Sequence, residues 1–128
     1  MLKKKIYEKT QATVVEQNKL IDEGNELTTS YRKSKAELVK IKKDNSADMK
    51  RLAQEYKDAQ ALPDADEKKT KMEKAQEDND KLVNENAQHT HDINELDKLL
   101  SDLDNKKQQI ERDQKVTGKE NRDQYALI

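Results

Sequence analysis

His89 and His91 are the only imidazoles in the chain, and they lie two residues apart in His-Thr-His. On a helix, two histidines share a metal when they stand four apart on one face; two apart, they point in different directions. His89 therefore reads as an inner-face residue, where a hydrogen-bonded core imidazole is the commonest role, and His91 as solvent-facing. Glu85 or Asp92 would have to complete a ligand set from neighbouring faces, so no metal or other cofactor is expected. Carboxylates recur as Asp22-Glu23, Glu77-Asp78 and Asp102 with Asp104. Such pairs do acid–base work only in a cleft that separates their pKa values, and each pair here reads as solvated surface. The chain has no cysteine, which removes thiol chemistry, disulfides and Cys-based metal sites. No glycine-rich phosphate loop and no credible Ser, His and Asp set completes the picture, so no enzyme is expected. Lys3-Lys4-Lys5 and Lys40 with Lys42-Lys43 form basic clusters. Acidic residues follow closely and no aromatics interleave to stack on bases, so nucleic acid is not an expected partner.

The elements that carry these residues must be helices. Of the 128 residues, 41% are charged and 31% hydrophobic, with no Trp or Phe, two Gly and one Pro. That supply of large apolar side chains does not build a globular core, and the few Gly and Pro do not make the turns of a sheet protein. The formal charge of -1 hides a balance of +4 over residues 1–62 and -5 over 63–128, which weakly favours the two halves lying side by side. Met1-Leu2-Lys3-Lys4-Lys5-Ile6 has no apolar run behind it, and nothing approaches the ~18–20 apolar residues of a membrane helix. No membrane insertion and a cytoplasmic location are the expectations.

Periodicity places the helices. From residue 72 an alternating three–four spacing selects Met72, Ala75, Asn79, Leu82, Asn86, His89, Ile93, Leu96, Leu100, Leu103, Lys107, Ile110, Gln114 and Thr117, the mark of a coiled-coil seam. In the first half, Ile6, Thr10, Thr13, Gln17, Leu20, Gly24, Leu27, Tyr31, Ser34, Leu38 and Ile41 follow the same spacing. Two steps of four then reach Asn45 and Met49, a stutter, before Leu52, Tyr56 and Ala59 resume. Leu62, Pro63, Asp64 and Asp66 mark the turn, because proline and acidic residues suit a helix start. The predicted fold is all-α: a long antiparallel two-helix coiled-coil hairpin over 1–118, with arms 2–62 and 64–117 and a turn near 62–64. Thr117-Gly118 reads as a helix stop, leaving a short tail, 119–128. Folding about Pro63 pairs residues whose numbers sum to about 126. Gly24 then falls beside Leu103, where a missing side chain leaves room for a large one.

Function is read from what the seam leaves over. Val14, Val15 and Ile21 lie beside it in the first arm, Val39 and Val83 near the middle, and Leu99 in the second arm. Tyr125, Leu127 and Ile128 form an apolar tip. A two-stranded seam does not need these residues, whereas further helices would cover them. Self-association of a homodimer into a four-helix bundle, or docking on a helical protein partner, is expected. The leading reading is a non-catalytic interaction protein: an adaptor, a chaperone-like partner or a structural component. In shape the chain is similar to small adaptors of secretion machines and to phage assembly proteins, which implies recognition of helical partners. A scaffold growing end to end through Tyr125 to Ile128 is one alternative. A regulator inserting Asp64, Asp66 and Glu67 into an enzyme is another. Leu62-Pro63-Asp64-Ala65-Asp66 resembles the acidic coiled-coil tip of secondary-channel transcription factors, which implies carboxylates acting near a polymerase magnesium. Five residues carry that resemblance, and an acidic helix start accounts for the same residues.

Overall fold

The computed structural model describes residues 2–127, apart from the side chains of Gln124, Tyr125 and Leu127. The chain forms two helices, α1 over Leu2–Gln60 and α2 over Ala65–Leu127. Their packing divides into two units. Unit 1 joins Met1–Arg32 to Asp97–Ile128, and unit 2 is Lys33–Leu96. Unit 2 is a helical hairpin that contains the turn. In unit 1 the two segments run antiparallel: Thr10 Oγ1 donates to Asn121 Oδ1 at 2.9 Å, and Gln114 Nε2 donates to Asn18 Oδ1 at 2.8 Å.

Helix formation here leans on local chemistry as well as on packing. Lys, Glu, Gln, Ala and Leu fill most positions and are strong helix formers. A Gln amide repeatedly reaches an Asp four residues on, in Gln54–Asp58, Gln76–Asp80, Gln88–Asp92 and Gln109–Asp113. Glu67–Lys71 and Glu77–Lys81 add ion pairs in the favourable order, Glu on the N-terminal side. Each such pair contributes roughly 0.2–0.5 kcal/mol. Many small increments hold a helix that has few apolar residues to bury.

The turn is set by Pro63. It has no N–H, and it pushes the preceding residue out of helical geometry. Helix α1 closes with the shorter bonds Ala61 N to Asp58 O (3.2 Å) and Leu62 N to Ala59 O (3.1 Å). Asp64 then caps α2: its Oδ1 accepts from Glu67 N at 2.9 Å, and its carbonyl accepts from Lys68 N at 3.0 Å. Asp66 and Glu67 occupy the first turn of α2, where the helix dipole favours negative charge. The cross-helix bonds join Thr10 to Asn121 and Asn45 to Asn86, so paired numbers sum to 131, five more than folding about Pro63 implies. The pivot therefore falls beyond the proline, between Ala65 and Asp66 at the start of α2.

The expected stop at Gly118 is corrected. Helix α2 continues through it to Leu127, taking in nine of the residues read as a tail. A glycine ends a helix by adopting positive φ, and neither glycine does so. Left helical, Gly118 costs roughly 1 kcal/mol against alanine. The Lys, Glu, Arg and Gln that follow sustain the helix, and Asn121 anchors it to Thr10.

The inner faces correct the reading of α1 further. Helix α2 turns residues 72, 75, 79, 82, 86, 89, 93, 96, 100, 103, 107, 110, 114 and 117 inward, the set its spacing predicts. Helix α1 turns residues 10, 14, 17, 21, 24, 28, 31, 35, 38, 42, 45, 49, 52, 56 and 59 inward. From Thr10 this series alternates four and three without a break, so there is no stutter at Ile41; half-buried Ile6 stands four residues before Thr10. Leu20, Leu27 and Ile41, expected in the seam, stay 45%, 45% and 41% exposed. Val14 and Ile21, expected on the outside, are half-buried in their place, with Thr28, Lys35 and Lys42. The two series share Thr10, Gln17, Gly24, Tyr31, Leu38 and Asn45 and differ by one residue at the alternate positions, so the stripe is turned by about 50° of helix rotation. Near the turn, Met49, Leu52, Tyr56 and Ala59 lie inward as the spacing predicts. One polar intruder is accommodated locally: Thr28 Oγ1 donates to Gly24 O at 2.9 Å.

Every buried residue among those described lies in unit 2: Leu52, Ala59, Ala75 and Asn45. Alanines are covered to 2% and 4% exposure only when the opposite helix comes close, so the small residues next to the turn set the tightest approach.

Candidate interaction surface

In unit 1 the displaced leucines border a groove of about 360 Å³. Leu20, Gly24 and Leu27 line one side, Leu103, Lys106 and Ile110 the other, and Ile21 lies among them. Gly24 contributes no side chain to the groove. A Cβ built there meets nothing within 4 Å, so Leu103 lines the gap without filling it, contrary to the sequence expectation. Gly24 also borders a second groove with Thr28, Leu100 and Leu103. Leu99 stands 42% exposed, one turn from Leu103 and two from Lys106 on the same stripe of α2. Glu23 and Lys106 stand on opposite rims.

Unit 2 is closed by polar chemistry. Asn45, 9% exposed, donates through Nδ2 to Asn86 Oδ1 at 3.0 Å and to Glu85 Oε2 at 3.3 Å. Asn86 Nδ2 in turn donates to Lys42 O at 3.4 Å. A paired asparagine inside a helix interface selects one alignment, because sliding by a turn leaves both amides without partners. Val39 and Val83 are exposed here, 49% and 47%, and no described groove joins them. Next to the turn, half-buried Leu62 shares a groove with Ala59, Ala75 and Lys71, while Pro63, Asp64 and Asp66 face solvent.

Of the remaining residues expected inside, Leu52 is buried, and Tyr31, Leu38, Met72, Leu82, Ile93, Leu96, Leu100, Leu103 and Ile110 are half-buried. Val15 is exposed as expected, and Val116, which the sequence reading passed over, is 54% exposed. Tyr125, Leu127 and Ile128 lie outside the residues whose side chains are described. His89 is half-buried and His91 exposed. The His89 Nδ1 and the Gln17 Oε1 are both buried without a hydrogen-bond partner. The inward lysines Lys35 and Lys42 were not foreseen. The only signal that could have found them is the phase of Met49, Leu52, Tyr56 and Ala59 extended backwards through polar positions.

Among the described residues no three His, Cys, Asp or Glu side chains cluster to hold a metal ion, and no helix is long and apolar enough to cross a membrane. Comparison with protein-family models, with curated proteins and with solved structures finds no match.

Proposed function

We propose that this chain is a non-catalytic coiled-coil interaction module, an adaptor or structural component that recognises helical partners through the apolar flank of α1 and the neighbouring stripe of α2. The observation that carries the reading is the division of labour on α1. Its inner face accepts Gly24, Thr28, Lys35 and Lys42, while Leu20, Leu27 and Ile41 remain outside. A helix apolar at the inner positions and along one flank is the pattern of a bundle with more than two helices. A two-stranded seam this polar gains little from burial to set against the entropy of ordering the chain. A further helix over Leu20, Leu27 and Leu99 supplies the missing burial.

The turn supports no second reading of equal weight. The Asp64 carboxylate caps α2, and Glu67 pairs with Lys71, so local structure accounts for both groups. The test is affinity capture with the wild-type chain beside two variants, a triple Leu20→Ser, Leu27→Ser, Leu99→Ser and a tip variant Asp66→Asn. The expected outcome is loss of the captured helical partner with the triple variant and retention with the tip variant. The reverse pattern sinks the reading in favour of an acidic-tip regulator.

A further inference from the structure

The groove of unit 1 points to one occupant. We propose that it is the contact face for a second copy of this chain, the copies related by a two-fold axis running along the helices, so that α1 of each lies antiparallel on α2 of the other. This rests on the interaction-module reading and names its partner.

Continuity is the first argument. The groove floor is made by Ile21, Leu103 and Ile110, which are inner-face residues of the existing helix pair. Leu20 and Leu27 stand directly beside them, spaced seven apart as the inner positions are. A helix with the same spacing extends that packing without changing its geometry. The chain itself supplies one.

Charge is the second argument, and it selects the symmetry. Glu23 rims the groove on α1 and Lys106 rims it on α2, and neither is in an ion pair among the described residues. Suppose the copies repeat the antiparallel alignment that joins Thr10 to Asn121 within one chain. Leu20 of one copy then comes within one residue of the level of Ile110 of the other, Leu27 within one of Leu103, and Glu23 within one of Lys107 and two of Lys106. The two-fold axis forms each of these contacts twice, the self-complementarity an isologous interface requires. An axis across the helices would instead stack α1 on α1 and bring Glu23 towards Glu23 and Lys106 towards Lys106. Like charges facing one another reject that arrangement.

The experiment is sedimentation equilibrium of the full chain over a concentration series, beside Glu23→Lys, Lys106→Glu, the double exchange, and Leu27→Asp. The wild type is expected to double from its chain mass of 14.9 kDa. Each single charge change should weaken the dimer about tenfold, since two symmetry-related pairs are lost, and the double exchange should restore it. Leu27→Asp should abolish it; if that variant loses helicity by circular dichroism, the charge exchange decides. The chain has no cysteine, so a short bifunctional thiol linker adds an orientation test. Glu23→Cys mixed with Lys106→Cys should cross-link efficiently, and Glu23→Cys alone should not. A wild type that stays at 14.9 kDa throughout overturns the second copy as occupant. The interaction reading then stands or falls separately on the capture experiment. A dimer indifferent to all the charge variants, or one that Glu23→Cys alone cross-links as well, overturns the proposed arrangement.

Discussion

Units 1 and 2 are built from the same two helices, yet they solve the problem of pairing differently. Unit 2 has a small closed interior of Leu52, Ala59 and Ala75, with Asn45 bonded to Asn86 and Glu85 beside it. Unit 1 has no buried residue among those described. Its cross-helix bonds, Thr10–Asn121 and Gln114–Asn18, lie towards the chain ends, and its middle is opened by Gly24. The difference teaches that a few well-placed small and apolar residues are enough to bury an interior in a polar helix pair, and that leucines displaced from the inner face line a groove instead. Burial and an amide lock hold the first region. The second keeps its leucines available.

The comparison breaks most visibly at Leu52. Leu52→Ala removes the largest buried side chain of unit 2 and should cost about 2–4 kcal/mol, read from urea unfolding followed by circular dichroism. A cost under about 1 kcal/mol, the level of an exposed position, would mean that unit 2 has no interior worth the name. Next in size is the amide lock. Asn45→Ala strands Asn86 and should cost about 1–2 kcal/mol. Replacing both Asn45 and Asn86 by Leu should instead raise stability while admitting additional cross-link patterns between the helices. An unchanged, single cross-link pattern in that double variant would refute the lock.

Asp64→Ala removes the cap of α2 and should cost about 1 kcal/mol, with amide exchange faster at residues 65–68. Gly24→Ala sharpens the contrast from the other side. In the single chain its Cβ enters open space, so at concentrations below dimerisation helix propensity alone should stabilise unit 1 by roughly 0.8–1 kcal/mol. A destabilised Gly24→Ala would show that something occupies the groove in solution. The smallest effect is expected at Gln17, whose buried Oε1 has no partner. Gln17→Leu should stabilise by about 0.5 kcal/mol, a shift for replicate thermal melts to resolve.

Much of this architecture was legible from residue types. The inner face of α2 was readable position by position, because Leu82, Ile93, Leu96, Leu100, Leu103 and Ile110 leave its spacing one solution. The turn was readable to within two residues, since Pro63 forbids a continued helix and acidic residues follow it. Gly118 misled because glycine permits a helix stop without requiring one. The candidate surface was half legible: Val15, Val39, Val83 and Leu99 were placed outside, whereas Leu20 and Leu27 were placed inside and Val14 and Ile21 outside.

That last exchange marks the division between sequence and tertiary structure. The sequence by itself determined two long helices, the break between them and the phase of the second. Each of these follows from local propensity, from the geometry of proline or from an unambiguous apolar repeat. It did not determine the phase of α1, where Leu20 and Leu27 belong to one stripe and Val14 and Ile21 to another, one residue apart at alternate positions. Only packing against α2 decides between stripes so close in apolar content. The residues beside the turn bury in the phase their own spacing predicts, whereas farther along α1 the contacts with α2 settle positions where local hydrophobicity favours the other.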